Sequence, residues 1–232
     1  MFCFVMPIIV INNQAVIVKG GYVKKYIFLF LIAVIIITMM PLTANAQGEV
    51  IVLYGDSMFS SDTLIPADMI VLRTGDAVIE KGHGGWTSSS GKKHFKGEVV
   101  SIKPTIVVID FGINDAIRDS KKNRVSLSQY KKNLKKIIIK SVEIGALVIV
   151  VTPGPVNYAQ RGGSWRERDV NAYREAAIST ASEYGAVVVD AYALLINTGN
   201  YVAYLQNDGL HYNEAGSKLI ADQINLMINN LR

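Results

Sequence analysis

The chain has 232 residues, half of them hydrophobic and 19% charged, which excludes a disordered or low-complexity polymer and fits one domain or two. Its formal charge of +5 is largely an end effect. Three of the 24 basic residues and none of the 19 acids lie in residues 1–46, so the remainder sets 21 basic against 19 acidic side chains. A body so close to neutral offers little ground for nucleic-acid binding, which needs a basic surplus. Cys3 is the only cysteine, which excludes disulfides, thiolate catalysis and Cys-zinc sites from residues 47–232.

The N-terminal stretch reads as an address. Lys24-Lys25 precedes Tyr26–Met40, 15 mostly apolar residues, and Ala44-Asn45-Ala46 follows. That is the order of a secretory signal peptide: basic region, apolar region, small-x-small cleavage site. Cleavage is expected between Ala46 and Gln47, releasing a secreted or periplasmic protein. The alternative is an uncleaved anchor, but the apolar run is short of the roughly 20 residues a span needs. With no cysteine near the cleavage site, a lipid anchor is not expected. Residues 1–22, apolar but broken by Asn12, Asn13 and Gln14, sit oddly ahead of such a signal and suggest that translation starts near Val23. The expected organisation is residues 1–46 as extension and signal, and 47–232 as a single domain.

Along that domain, Glu49–Tyr54 is a β-branched run ending at Gly55 and predicts a buried strand. Ile65–Leu72 predicts a short helix, with Pro66 tolerated in its first turn. Ala77–Lys81 is a weaker strand before Gly82–Gly85. Thr105–Asp110 is a second strong strand. Ser128–Ile144 is the clearest helix: Leu134, Ile137, Ile138 and Val142 share a face, and Lys131, Lys132, Lys135, Lys136 and Lys140 cover much of the rest. A solvated face accounts for those lysines; attraction to anionic lipid or polymer is the alternative. Gly145 stops the helix. Ala146–Thr152 is a third strong strand, Arg166–Tyr184 a helix, Ala186–Asp190 a strand, and Asn213–Asn230 a last helix with Asn213 as N-cap. Apolar strands alternating with helices predict a three-layer α/β domain around a five-stranded parallel sheet. Such sheets carry their sites at the carboxyl ends of the strands.

Three histidines limit the choice of imidazole base. His94 lies in a polar run, and His83 sits in the Gly82–Gly85 turn with no obvious carboxylate partner. His211 follows Asp208 by three residues in Asn207-Asp208-Gly209-Leu210-His211, a spacing that can set a carboxylate against Nδ1 and fix the tautomer. An Asp-Gly turn before a helix is the plain alternative. Ser57 follows the first strand in Gly55-Asp56-Ser57, and a serine hydroxyl needs an adjacent base to act as a nucleophile. Asn114, in Gly112-Ile113-Asn114-Asp115, follows another strand and carries an amide able to donate to an oxyanion. Gly85 offers a backbone N–H with no side chain in the way, and Gly84 competes with it. Asp56 and Asp115 read as local structural acids.

Together these blocks resemble the SGNH, or GDSL, hydrolase family. Gly-Asp-Ser follows the first strand, Gly85-Trp86-Thr87 comes next, Gly-x-Asn-Asp follows a later strand, and Asp-x-x-His precedes the last helix. The first block reads Gly-Asp-Ser-Met rather than Gly-Asp-Ser-Leu. The second lacks the Asn that often precedes its glycine. The resemblance implies a flavodoxin-like α/β/α sandwich and a serine esterase cleaving carboxylic esters without cofactor or metal. It implies Ser57 as nucleophile, His211 as base, Asp208 as orienting carboxylate, and Ser57, Gly85 and Asn114 as oxyanion donors. Acetyl groups on carbohydrate, short-chain esters and lysophospholipids are the candidate substrates. Tyr158 and Trp165, in the loop after a strand, are candidate substrate contacts.

Competing readings fit less well. Gly-x-Ser-x-Gly of the α/β-hydrolases is broken by Phe59. No Gly-x-Gly-x-x-Gly turn follows the first strand, and three histidines are a thin stock for a metal hydrolase. The non-enzyme alternative is a silent carbohydrate- or envelope-binding module on the same fold.

Overall fold

A computed structural model describes residues 8–11, 14–17, 48–60, 69–70, 75–118 and 125–231. The chain forms two compact units, Met1–Ala46 and Gln47–Arg232. In the first, β1 (Ile8–Ile11) and β2 (Gln14–Ile17) pair antiparallel. The expected signal segment and most of the expected helix Ile65–Leu72 lie outside the described residues.

The second unit is built on a parallel sheet. Its strands are β3 (Val50–Gly55), β4 (Ala77–Gly82), β5 (Ile106–Asp110), β6 (Leu147–Val151) and β7 (Val187–Val189). They lie in the order β4-β3-β5-β6-β7, every pair parallel. The central strands show no alternation because both their faces are covered: every residue of β5 is buried, as are Ile51–Tyr54 of β3. The edge strand β4 is only partly buried, which is why its sequence signal was weaker.

The helices are α1 (Ser88–Glu98), α2 (Leu127–Glu143), α3 (Tyr158–Arg161), α4 (Glu167–Glu183), α5 (Ala191–Ile196) and α6 (Glu214–Leu231). α2 packs between α1 and α4, and α5 packs on α6. These two groups are the outer layers of an α/β/α sandwich. Ser126 caps α2 by accepting from the Gln129 N–H at 3.2 Å. Tyr130, Leu134, Ile137 and Ile138 bury its apolar stripe, each worth roughly 1.5–3 kcal/mol over exposure. Val142, expected on that stripe, is 52% exposed. Asn213 accepts from the Gly216 N–H at 3.1 Å, as an N-cap of α6 should. Among the described residues no helix is long and apolar enough to cross a membrane.

α1 and α5 had no clear sequence signal. α1 reads SSSGKKHFKGE and buries only Ser88, Gly91 and Phe95. It is held by fit rather than by a stripe. A Cβ at Gly91 would lie 2.4 Å from the Phe111 ring, so only glycine lets the helix backbone come this close. The Tyr54 hydroxyl then donates to the Gly91 carbonyl at 2.5 Å.

The strand order places β3 and β5 side by side while their following connections leave toward opposite edges of the sheet. The crevice at such a switch point opens at the carboxyl ends of the strands, where Ser57 follows β3 and Asn114 follows β5.

Candidate active site

The turn after β3 presents Ser57. The Asp56 N–H donates to the Asp110 carbonyl at 3.1 Å, carrying the sheet pairing one residue past the strand. Asp56 Oδ1 then accepts from the Met58 N–H at 3.0 Å and caps a short 3-10 turn, Ser57–Phe59. The chain bends sharply there, and Ser57 stands at the carboxyl edge of the sheet.

His211 reaches it from the other end of the chain. Leu205 and Tyr212 form an antiparallel bridge, and the Gln206 N–H donates to the His211 carbonyl at 2.7 Å. This makes a small hairpin whose tip is Asn207–Leu210. Asp208 Oδ1 accepts from the N–H groups of Leu210 (2.9 Å) and His211 (3.1 Å), and Oδ2 faces His211 Nδ1 at 2.6 Å. His211 Nε2 lies 2.9 Å from Ser57 Oγ. Burial acts to raise the Asp208 pKa, but the two backbone donors and the imidazole outweigh it and hold the carboxyl below its ordinary value. Hydroxyl, imidazole and carboxylate therefore stand in one hydrogen-bonded line, with the ring oriented from both sides.

Beside Ser57 lie two further turns. The Trp86 N–H donates to the His83 carbonyl at 3.1 Å, closing a turn with Gly84 and Gly85 at its centre. Gly85 has φ +74° and open space where a Cβ would be, the left-handed conformation that favours glycine. Asn114 Nδ2 donates to the Trp86 carbonyl at 3.0 Å, which holds the Asn114 amide against this turn.

Three carboxyl groups lie buried beneath the crevice: Asp56, Asp110 and Asp115. Burial raises all three. Asp56 is pushed up to about 7, with the Asp115 charge adding to burial while Met58 N–H and the Asn114 amide oppose it. Asp110 is raised by burial and then by Asp56. Asp115 reaches about 6, burial outweighing its bonds from Ser88. The expectation that Asp115 serves local backbone needs correction. Its carboxylate accepts the Ser88 N–H at 2.9 Å and the Ser88 hydroxyl, 27 residues away, at the start of α1.

Of the two expected substrate contacts, Trp165 is turned inward and Tyr158 is half-buried. Trp165 is only 4% exposed, and its indole N–H donates to the Ile113 carbonyl at 2.8 Å. It braces the Asn114 turn from within, so no ring face is offered to a sugar. The Tyr158 hydroxyl is buried beside Tyr192. His83, expected without a carboxylate partner, lies 3.6 Å from Glu98 Oε2 and stacks on Trp86 with ring centroids 3.8 Å apart. His94 is exposed but its ring neighbours Trp86 at 4.9 Å. Ser88 and Arg161 were missed as supports. No local motif marks them, since their partners are Asp115 and Asp208 on distant segments. Among the described residues no group of three His, Cys, Asp or Glu side chains is placed to hold a metal ion.

Residues 54–219 match the GDSL-like Lipase/Acylhydrolase family. The human "isoamyl acetate-hydrolyzing esterase 1 homolog" is 29% identical over 166 residues, 62% of this chain and 64% of that protein. An acetylxylan esterase of Geobacillus stearothermophilus is 27% identical over 154 residues, 63% of this chain and 69% of that protein. A GDSL esterase/lipase of Arabidopsis thaliana is 26% identical over 164 residues. The chain spans 64% of the length of the human and Arabidopsis relatives. A lipase/acylhydrolase structure from Enterococcus faecalis superposes with a TM-score of 0.68 at 26% identity, over 78% of this chain and 96% of that one. The matched stretch runs from the strand before Ser57 to the helix after His211, so the chain belongs to the GDSL-like lipase/acylhydrolase family.

Proposed function

We propose that the protein is an exported serine esterase that transfers an acyl group from a carboxylic ester to water. The single observation that carries this reading is the line Ser57 Oγ, His211 Nε2 at 2.9 Å, His211 Nδ1, Asp208 Oδ2 at 2.6 Å. Ser57 Oγ attacks the ester carbonyl as His211 Nε2 accepts its proton. Asp208 keeps the ring in the tautomer that accepts and stabilises the imidazolium that forms. The tetrahedral oxyanion rests on the N–H groups of Ser57 and Gly85 and on Asn114 Nδ2. That amide carries two N–H donors, and the bond to Trp86 orients the group. Collapse of the intermediate expels the alcohol, which takes its proton from His211. Water, activated by the same imidazole, then cleaves the acyl-enzyme and restores Ser57.

Short acyl groups, acetyl above all, are the proposed substrate. The names of the human and Geobacillus relatives both specify an acetyl ester. Export rests on the Lys24–Ala46 pattern. The test is covalent labelling with a fluorophosphonate together with p-nitrophenyl acetate hydrolysis. Wild type should label and turn over, and Ser57→Ala should do neither while keeping its melting temperature. Turnover by Ser57→Ala at the wild-type rate would remove the nucleophile, and a wild type that neither labels nor hydrolyses would favour the silent binding module.

A further inference from the structure

Arg161 closes α3 and reaches beneath the hairpin that carries Asp208. Its Nε donates to the Asp208 main-chain carbonyl at 2.5 Å, and its Nη2 lies 3.4 Å from Asp208 Oδ2. One planar guanidinium thus holds both the backbone and the side chain of a single residue. Its neighbours fasten the same tip: the Asn157 N–H donates to the Gly209 carbonyl at 2.8 Å, and Gln160 Nε2 donates to the Asn207 carbonyl at 2.9 Å.

We infer that Arg161 is a positioning residue that fixes Asp208 for His211. The inference rests on the esterase reading above. A carboxylate offers about four lone-pair directions. Asp208 spends two on Leu210 and His211 N–H, one on His211 Nδ1, and turns the last toward Arg161. The pattern leaves the carboxylate little freedom to rotate away from the imidazole.

Charge alone does not explain the arrangement. A second cation at Oδ2 competes with the imidazolium for the same oxygen and weakens its stabilisation, which opposes catalysis. The benefit is therefore geometric. It also extends further, because the Arg161 guanidinium lies over the Trp165 ring at 6.0 Å, and Trp165 is bonded to the Ile113 carbonyl. A continuous chain of contacts thus runs from the Asn114 turn through Trp165 and Arg161 to Asp208. It links the oxyanion side of the crevice to the base side.

A lysine keeps the charge but cannot span two acceptors with one planar fork, so it separates the two roles. Arg161→Ala and Arg161→Lys are compared with wild type in steady-state p-nitrophenyl acetate hydrolysis, with Ser57→Ala as control. The low-field proton NMR signal of the His211 Nδ1–H is followed in the same proteins. Both Arg161 variants should lose about 10- to 100-fold in kcat, the scale of a small misplacement of catalytic groups. KM should stay within about twofold, and the low-field signal should broaden or vanish in folded protein. Wild-type kcat in Arg161→Ala overturns the inference. Full recovery by Arg161→Lys assigns the effect to charge and overturns it too, as does a loss of kcat that merely follows the fraction unfolded. Activity surviving in Ser57→Ala would instead sink the esterase reading, and the NMR signal would still report on the Asp208–His211 contact.

Discussion

The Asn114 side chain donates to the Trp86 carbonyl at 3.0 Å, and the next residue, Asp115, holds the N–H of Ser88 at 2.9 Å. Two successive residues after β5 therefore fasten the turn after β4 and the helix that follows. Both proposed oxyanion donors beyond Ser57 depend on this seam. Removing one such donor typically costs about 10²–10³ in turnover. Asn114→Ala should show that loss in kcat with p-nitrophenyl acetate while KM changes little. Asn114→Asp should be worse, because it sets a negative charge where negative charge develops. A variant with wild-type kcat would exclude Asn114 from the oxyanion site.

Asp115 is a remote cap. Thr87 makes no side-chain capping bond to α1, and the first free N–H of the helix is met by the Asp115 carboxylate instead. Anions are favoured at a helix N-terminus, and a buried donor stripped of its partner costs about 1–3 kcal/mol. Asp115→Ala should lower the melting temperature by roughly 2–4 °C per kcal/mol lost, on the scale for a domain of this size. A melting temperature equal to wild type would show that α1 does not depend on this contact.

Stability should fall as pH rises through the acid range. Asp56 and Asp115 have folded pKa values raised from 3.8 to about 7 and about 6, with burial first among the causes, and Asp110 is raised as well. Between the unfolded and folded values the native state binds more protons than the unfolded chain, so the free energy of unfolding decreases with pH. Asp208 acts oppositely. Its depressed value contributes stability that is lost only as pH falls below the ordinary carboxylate range. Urea midpoints should therefore be higher near pH 5 than near pH 8, and Asp56→Asn should flatten the slope. A wild-type midpoint that is constant or rising across this window would contradict the buried cluster.

Asp208→Asn keeps an oxygen for the Leu210 and His211 N–H groups and so preserves the hairpin. It removes the charge beside Nδ1 and invites the wrong tautomer. Turnover should drop by about 10²–10⁴, the scale known when such a carboxylate is neutralised, with the melting temperature close to wild type. An unchanged kcat would mean that the orienting group lies elsewhere.

N-terminal sequencing of protein recovered from a Sec-competent host should begin at Gln47, the residue after Ala44-Asn45-Ala46. Recovery of a product that retains Tyr26–Met40 would point to an anchor instead.

Much of the molecule could be read before folding. The three central runs, Glu49–Tyr54, Thr105–Asp110 and Ala146–Thr152, were legible as strands because strands buried on both faces are almost uniformly apolar. Asp208 and His211 were legible as a pair because three residues of one turn bring them together. What fails locally is support from a distance. α1 is polar along most of its length and exists because Asp115 caps it and Gly91 fits under Phe111. Trp165 looked like a ligand platform in its loop, and packing turned it inward onto Ile113.

The amino-acid order by itself determined the strand and helix alternation, the residue types at each strand end, and the acid three positions before the histidine. These depend on hydrophobic period and short-range geometry, which a linear chain carries within a few residues. Only the tertiary structure decided that Ser57 meets His211 across 154 positions, and that Arg161 secures Asp208. Those contacts depend on the strand order around the switch point and on the packing of separate loops, and no short stretch of chain encodes either alone.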